Sequence, residues 1–438
     1  MNILSSFRKY LFWTIDFFRS ESVRKHYQDI SKIIEDPFSP EAINRKRTLL
    51  EKILNHSVKT VPFYSILNFE ELKDFPVVNK KIIQNSFEEF KSHKFLNSEL
   101  FKVSTSGSTG VPFFLFQNIR KRRRNTADVL YFSNAANYKF GEKLYYLEAW
   151  RHANMNSPIK SWAKNLIYVD ISHFDDNKIE QFLKKLEKSF VSKNIIGLPS
   201  SFECICKYLD KTDTGSQNNF NVNSIIAVSE YVNSYVKIAM KKYFGATVIS
   251  RYSNEEMGVI AQQSLNGESE EFKINDASYF VEILKIDSDE KADENEIGRI
   301  VITDLFNYSM PLIRYDTGDI STFKEFSNGE QRLDTIEGRK MDFLYATNGE
   351  LISPHLIHVI LYDYFHLIKQ YQFIQETENS YTIKLNVYDS FAFEEQLILD
   401  VKKEFGDDSV ITIEYVDEIP PLSSGKRKKV INNYNRIK

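Results

Sequence analysis

Several things are scarce in this chain of 438 residues, and each scarcity removes a class of explanation. Cysteine occurs twice, as Cys204 and Cys206. The pair is too close in sequence for an ordinary disulfide and too small for a structural zinc site, which fits a reducing compartment. Charge of one sign is not in excess: the formal net charge is −3, which argues against a chain-wide nucleic-acid footprint. No uninterrupted apolar run reaches the length of a membrane span or a signal peptide. The nearest approach, residues 1–18, carries Ile3, Leu4, Phe7, Leu11, Phe12, Trp13, Ile15, Phe17 and Phe18, but Arg8, Lys9 and Asp16 break it. Its spacing is helical and amphipathic, and is read as a helix packed on the protein's own body rather than one lying on a membrane. His152 and His173 stand singly, without metal-ligand spacing, which suits core or surface duty. The expectation is a soluble, cytoplasmic protein with no transmembrane segment and no nucleic-acid partner.

Aromatic residues are abundant at 14%, so there is ample apolar area to bury. The length implies more than one domain. Residues 20–60 read as helical up to the break at Val61-Pro62, and Asn79 reads as the N-cap of a helix running through Phe90. Phe113 to Phe116 is a strand candidate, followed by a helix from about Asn118. Leu144–Leu147, Ile195–Leu198, Ser224–Val228 and Thr247–Ile249 read as buried strands, with helices at Ile179–Phe190 and Val232–Phe244 between them. That alternation predicts α/β layers with a substantially parallel sheet. After Glu271 the texture turns to strands at Tyr279–Leu284, Arg299–Thr303 and Leu312–Tyr315, with the acidic stretch Asp287–Glu296 as a solvated hairpin loop. The last hundred residues read helix, strand, strand, helix, strand, a compact α/β unit of its own. The expected division is a large domain at 1–340 and a small one at 341–438, meeting at Met341-Asp342. Arg120 to Arg124 (R-K-R-R-R) reads as a solvated helix face. The Tyr- and Phe-rich stretch from Phe132 to Trp150 shapes core and pocket together.

The segment V-S-T-S-G-S-T-G-V-P-F, Val103 to Phe113, is filled from Ser104 to Gly110 by hydroxyl residues and glycines. Glycine lets backbone N–H groups approach an anion, and hydroxyls add uncharged donors. A nucleoside triphosphate is the expected cargo, with an ordinary Ser/Gly turn as the alternative. No G-K-[ST] closes the segment, so it is not a Walker A loop.

Four further segments follow in order: A-V-S-E (227–230), R-Y-S-N-E-E-M-G (251–258), Y-D-T-G-D (315–319) with E-G-R-K-M-D (337–342), and P-L-S-S-G-K (421–426). Together with the Ser/Gly loop they resemble the adenylate-forming (acyl-AMP synthetase) superfamily, and within it the phenylacetate–CoA ligase and capsule-biosynthesis CapK branch. The resemblance covers nearly the whole chain. It implies a large N-terminal adenylate-forming domain of layered sheets and helices, plus a small mobile C-terminal α/β domain.

The roles it implies are chemically coherent. Ser104, Thr105, Ser106, Gly107, Ser108, Thr109 and Gly110 would cradle the departing pyrophosphate of ATP. Phe113 stands where the superfamily usually carries a lysine, so charge neutralisation must come from elsewhere. Ser229 and Glu230 would line the adenine face, and Tyr252 would lie against adenine. Glu256, or Glu255 on the other alignment, would hold Mg2+. Asp319 would accept the two ribose hydroxyls, since a carboxylate can take both protons, and Arg339 would reach the ribose and phosphate. Lys426 would be the catalytic lysine, its ammonium aimed at the carboxylate oxygen and the α-phosphate. The Arg427, Lys428 and Lys429 tail after it reads as a solvated terminus. In the superfamily the small domain rotates between two half-reactions, with Met341-Asp342 as the hinge here.

The resemblance therefore implies an AMP-forming ligase: a carboxylic acid plus ATP gives acyl-AMP, and the acyl group passes to CoA, a carrier-protein pantetheine or a sugar amine. Two other readings stay open, a nucleotidyltransferase that leaves AMP on its target and a nucleotide-binding relative that has lost catalysis. A homodimer is compatible with the sequence.

Overall fold

Caps and prolines divide the first part of the chain. The computed structural model describes residues 3–20, 22–96, 100–105, 113–148, 155–172, 174–212, 220–265, 270–339, 344–352, 354–420 and 427–434. Helix α1 spans Ile3–Phe18 and α2 spans Ser22–Glu35, with the Asp16 carboxylate accepting Val23 N at 3.0 Å and Arg24 N at 2.9 Å. Ser39 caps α3 (Pro40–Thr60), whose first residue is proline, as suits a position with no hydrogen bond to lose. The single helical stretch expected over 20–60 is thus two helices. Strand β1 (Val78–Asn79) leads into α4 (Lys80–Asn85), capped by Asn79 as expected but ending well before Phe90. The antiparallel hairpin of β2 (Phe101–Thr105) and β3 (Phe113–Gln117) delivers the chain to α5 (Ile119–Ala135), where Asn118 Oδ1 accepts Lys121 N at 2.9 Å.

The middle of the chain alternates as its pattern predicts: β4 (Lys143–Glu148), α6 (Pro158–Lys164), β5 (Leu166–Asp170), α7 (Asp176–Glu187), β6 (Lys193–Gly197), α8 (Pro199–Thr212), β7 (Val222–Val228), α9 (Ser234–Phe244) and β8 (Val248–Asn254). These five strands are parallel, in the order β5-β4-β6-β7-β8. Sequence reading missed α6, β5 and α8. The sheet then continues antiparallel with β9 (Gly258–Gln263), β10 (Phe272–Ile274), β11 (Tyr279–Lys285), β12 (Gly298–Asp304), β13 (Tyr315–Glu325) and β14 (Gln331–Arg339), ordered β8-β9-β10-β14-β13-β12-β11. With β1 paired to β13 it has 12 strands. The strand expected over Leu312–Tyr315 starts only at Tyr315, because Arg314 is left-handed at φ 47°. Its guanidinium turns inward to Glu282 at 3.2 Å and to Phe75 O at 3.0 Å.

The small unit comprises β15 (Leu344–Tyr345), β16 (Leu351–Ile352), α10 (His355–Ile360), β17 (Ile368–Gln375), β18 (Ser380–Val387), α11 (Glu394–Phe405), β19 (Val410–Tyr415) and β20 (Val430–Asn432). Its four longer strands are ordered β19-β18-β17-β20 around a core that includes Phe373, Tyr381, Leu397 and Phe405. The expected boundary and hinge at 340–342 lie outside the described residues, as do His152 and His173.

The basic run in α5 departs from its reading as a solvated face. Arg120 and Arg122 are exposed, but Lys121 and Arg124 are fully buried. Lys121 Nζ sits 2.7 Å from Asp304, with both side chains sealed from water. Arg124 donates to Ser278 Oγ at 2.8 Å, Ala277 O at 2.6 Å and Asp29 at 2.6 Å. A helix with five basic residues in succession (Arg120, Lys121, Arg122, Arg123, Arg124) must present some of them inward, and the core supplies carboxylates to receive them. Lys121→Met should therefore cost about 3–5 kcal/mol of stability by leaving Asp304 buried and unpaired, against under about 0.5 kcal/mol for Arg122→Ala. Chemical denaturation of the two variants measures the difference.

Candidate active site

Beyond the carboxyl ends of the parallel strands, where α/β sheets present their ligand sites, the small unit lies over the large one. Between them is a cavity of about 1540 Å3. Ser229, Tyr252, Glu256 and Asp319 line it from the large unit, and His358 and Lys429 from the small one.

Asp319 is held in a strand, not in a turn. Gly318 takes a φ of 80°, with no atom that a Cβ would meet within 4 Å, so conformation rather than space calls for glycine there. The Asp316 carboxylate accepts Gly318 N at 2.9 Å and Arg299 Nη1 at 2.8 Å. Thr317 Oγ1 donates to Ile300 O at 3.0 Å and accepts Asp319 N at 3.1 Å. The hydroxyl of Tyr252, on β8, donates to Asp319 Oδ2 at 2.6 Å. Burial, and then the adjacent Asp319 carboxylate, push the Tyr252 phenol well above its ordinary value, so it stays a donor. Asp319 faces Arg339 in register across β13 and β14. The Arg339 side chain is outside the described ones.

The β8–β9 turn separates the two acidic candidates. Glu255 is exposed and Glu256 is buried, at 8% exposure. Burial raises the Glu256 carboxyl above the usual carboxylate range; Lys80 opposes this, and Asp319 and Glu255 reinforce it. Gln117, at the end of β3, donates to Glu256 O at 3.0 Å and so ties the turn to the Ser/Gly hairpin. Among the described residues no group of three or more His, Cys, Asp and Glu side chains is arranged to hold a metal.

Ser229 has a φ of 70°, the left-handed region that a small flexible residue tolerates best. Glu230 accepts Ser200 N at 2.9 Å through one carboxylate oxygen, while the other is buried with no hydrogen-bond partner among the described residues. Ser229, Glu230, Tyr252, Glu255, Glu256 and Asp319 all line the one cavity. Exposed Ser104 and the backbone of Thr105 end β2, at the hairpin tip. Ser106, Gly107, Ser108, Thr109, Gly110 and Lys426 lie outside the described residues.

Sequence reading missed two groups. Arg251 is buried beside Tyr252 and also lines the cavity; it donates to Gln262 Oε1 at 2.8 Å and Ser133 Oγ at 3.2 Å. Burial lowers its guanidinium to about 10, partly offset by the Tyr146 and Tyr138 phenols. The second group is Glu203 on α8, which corrects the reading of the basic tail as solvated. Lys429 Nζ lies 2.7 Å from Glu203, and Lys207 Nζ lies 3.0 Å from it on the other side. Lys207 also donates to Ile368 O, and the Tyr231 and His358 rings stack at 5.3 Å. Burial alone would raise Glu203, but the two ammonium groups outweigh it and hold the carboxyl at about 2. The i, i+4 spacing of Glu203 and Lys207 was visible in sequence; their third partner, 226 positions away, was not.

A sheet of this topology, a small α/β unit over it and a cavity between them define the class: the chain has the fold of the two-domain adenylate-forming ligases. It superposes on a crystal structure of 2-hydroxyisobutyryl-CoA ligase, in the postadenylation state with R3-HIB-AMP, at a TM-score of 0.69, 16% identity and 86% coverage of each chain. ATP-bound MatB from Rhodopseudomonas palustris gives 0.54 at 14% identity, covering 75% of this chain and 66% of that one. Within the class the chain is CapK-like. Residues 344–433 match the CapK C-terminal domain family, and Protein CapK of Staphylococcus aureus is 22% identical over 449 residues, covering 95% of this chain and 94% of that protein. The resemblance drawn from the five motifs is borne out. No helix among the described residues is long and apolar enough to cross a membrane.

The Glu203–Lys429 pair gives a pH signature for docking. Glu203 is depressed, so its contribution is complete above the ordinary carboxyl value of 4.5 and is lost as pH falls through about 2. Lys429 is raised despite its burial, by Glu203 and Tyr371, so its share persists until pH climbs past the ordinary ammonium value of 10.5. Docking should be flat from about pH 5 to 9 by this linkage, and Glu203→Gln should weaken it by about 2 kcal/mol at neutral pH. Small-angle scattering of the two proteins across that range checks both statements.

Proposed function

We propose that this protein activates a carboxylic acid with ATP and passes the acyl group to CoA or another nucleophile. A carboxylate oxygen of the acid attacks the α-phosphorus, the bond to the β-phosphate oxygen breaks, and pyrophosphate leaves. A thiol, amine or hydroxyl of the acceptor then attacks the acyl carbon, gives up its proton, and AMP departs. The single observation that carries this reading is the convergence of Tyr252, Asp319, Glu256 and Ser229 on one cavity closed by the strand that follows Lys426.

Asp319, oriented by Tyr252 and by the Thr317 hydroxyl, accepts the ribose hydroxyls, and Arg339 on the neighbouring strand supports it. Ser229 and Glu230 bound the adenine, and the Ser104–Gly110 segment holds the leaving pyrophosphate. Glu256 fits a magnesium ion that takes most of its ligands from phosphate and water, since one or two carboxylates suffice for that ion; when bound, it neutralises phosphate charge. Glu255, exposed on the same turn, is the weaker of the two ligands. Lys426 stabilises the charge on the transition state. Arg251, buried on the cavity wall, suits a hydrogen-bond acceptor on the acid. The similarity to Protein CapK supports the capsule-type branch, in which a carrier-protein pantetheine or a sugar amine stands beside CoA as acceptor.

ATP–pyrophosphate exchange across a panel of aryl, fatty and hydroxy acids with magnesium is the test; background exchange with every acid sinks the proposal. Where exchange occurs, Lys426→Ala should lower it by at least ~100-fold, while transfer from preformed acyl-AMP suffers much less. Asp319→Asn should raise the Michaelis constant for ATP by roughly 10- to 100-fold, the scale of a lost hydrogen bond to a charged group, with the constant for the acid nearly unchanged.

A further inference from the structure

Helix α1 is built inside out. Its buried residues are Ser5, Arg8 and Asp16, and the two charged ones have internal duties. Arg8 Nε donates to Trp162 O at 2.9 Å, with the guanidinium 5.2 Å from that indole ring. Asp16 caps α2. The large apolar side chains face outward: Ile3 is 91% exposed, Tyr10 70% and Phe18 81%, with Phe7 about half exposed. Helix α6, packed beside α1, adds Ile159 at 80% and Trp162 at 49%. The expectation of a helix docked by its apolar face on the protein's own body is thus only half met, through Phe12 and Trp13.

Three observations choose what covers this face. Arg8 and Asp16 are buried, so the charges that α1 and α6 leave in contact with solvent are all cationic: half-buried Lys9 and exposed Lys160 and Lys164. A two-fold contact between copies would set these cations against one another, whereas an anionic leaflet attracts them. The mix of Phe, Ile, Tyr and Trp with lysine is that of a helix lying in a membrane interface. At 16 residues, α1 falls short of the ~20 a span requires. Finally, Leu11, Phe12 and Ile15 of α1, with Lys160 and Lys164 of α6, line the cavity of the candidate active site. The outward face and the cavity wall thus adjoin on one helix pair, and Lys160 and Lys164 belong to both.

We propose that α1 and α6 form an interfacial docking surface for an anionic lipid bilayer, seating this end of the cavity against the leaflet. A lipid-borne acid or acceptor then has a path to the cavity that avoids bulk water. The docking does not depend on the reaction proposed above, so its test needs no turnover.

The full chain is sedimented with vesicles of phosphatidylglycerol and phosphatidylcholine, and separately with phosphatidylcholine alone. We expect binding to the anionic vesicles that weakens with salt. The double variant Phe7→Glu, Phe18→Glu should lose at least ~10-fold in apparent affinity, with unchanged circular dichroism and melting. Lys160→Glu with Lys164→Glu should weaken binding to anionic vesicles only. If the phenylalanine variant does not fold, Ile3→Ser with Tyr10→Ser replaces it. Failure to sediment with anionic vesicles at low salt overturns the proposal, as does equal binding by wild type and the α1 variant. So does a dimer, seen by light scattering, that Phe7→Glu dissociates while vesicles bind neither protein.

Discussion

The candidate site depends on a buried chain of polar contacts that begins at Lys121. Its ammonium pairs with Asp304 and donates to the Tyr279 hydroxyl at 3.1 Å, and that hydroxyl donates to Met257 O at 2.5 Å. Three elements, α5, β11 and the β8–β9 turn, are thereby held at one point in the interior. The turn so fixed is the one that carries Glu255 and Glu256. Gln117 grips the same turn from the hairpin that bears the Ser/Gly loop. A charge sealed away from water is costly unless every partner is in place, so such a chain tolerates little displacement. It couples the position of the Glu255–Glu256 turn to that of the β2–β3 hairpin.

Closure of the cavity rests on the same principle at lower cost. Glu203 holds two ammonium groups, one from its own helix and one from the small unit, while Tyr231 and His358 stack nearby. Lys429 keeps a quarter of its side chain in contact with solvent. That partial hydration makes the contact strong enough to dock the unit yet weak enough to release it. Arg251, next to Tyr252 on β8, is buried and also lines the cavity.

Much of this was legible in the residues themselves. The apolar runs of the parallel strands, the cap Asn79, the helix start near Asn118 and the last helix, now placed at Glu394–Phe405, declared themselves through short-range chemistry. So did the segments around Ser229, Tyr252 and Asp319, which gather at one cavity. Other features stayed hidden because they are long-range. The fate of Lys121 and Arg124 turned on carboxylates from α2 and β12 that pattern analysis could not pair with them. Leu312 to Arg314 has the composition of a strand, yet a left-handed Arg314 reaching for Glu282 delays the strand to Tyr315. Strand β20, only three residues long, exists because β17 offers it an open edge.

The sequence by itself determined the class of fold and the order of the motif segments, since periodicity, caps and glycine-bearing turns act over a few residues. It also established that α1 is helical and interrupted by charge. Only the tertiary structure decided which face of that helix turns inward, which of two adjacent glutamates is buried, and which lysine of a basic tail spans the two units. Each of those outcomes depends on desolvation and on partners far away in the chain, and desolvation is a property of the folded surroundings rather than of the residue.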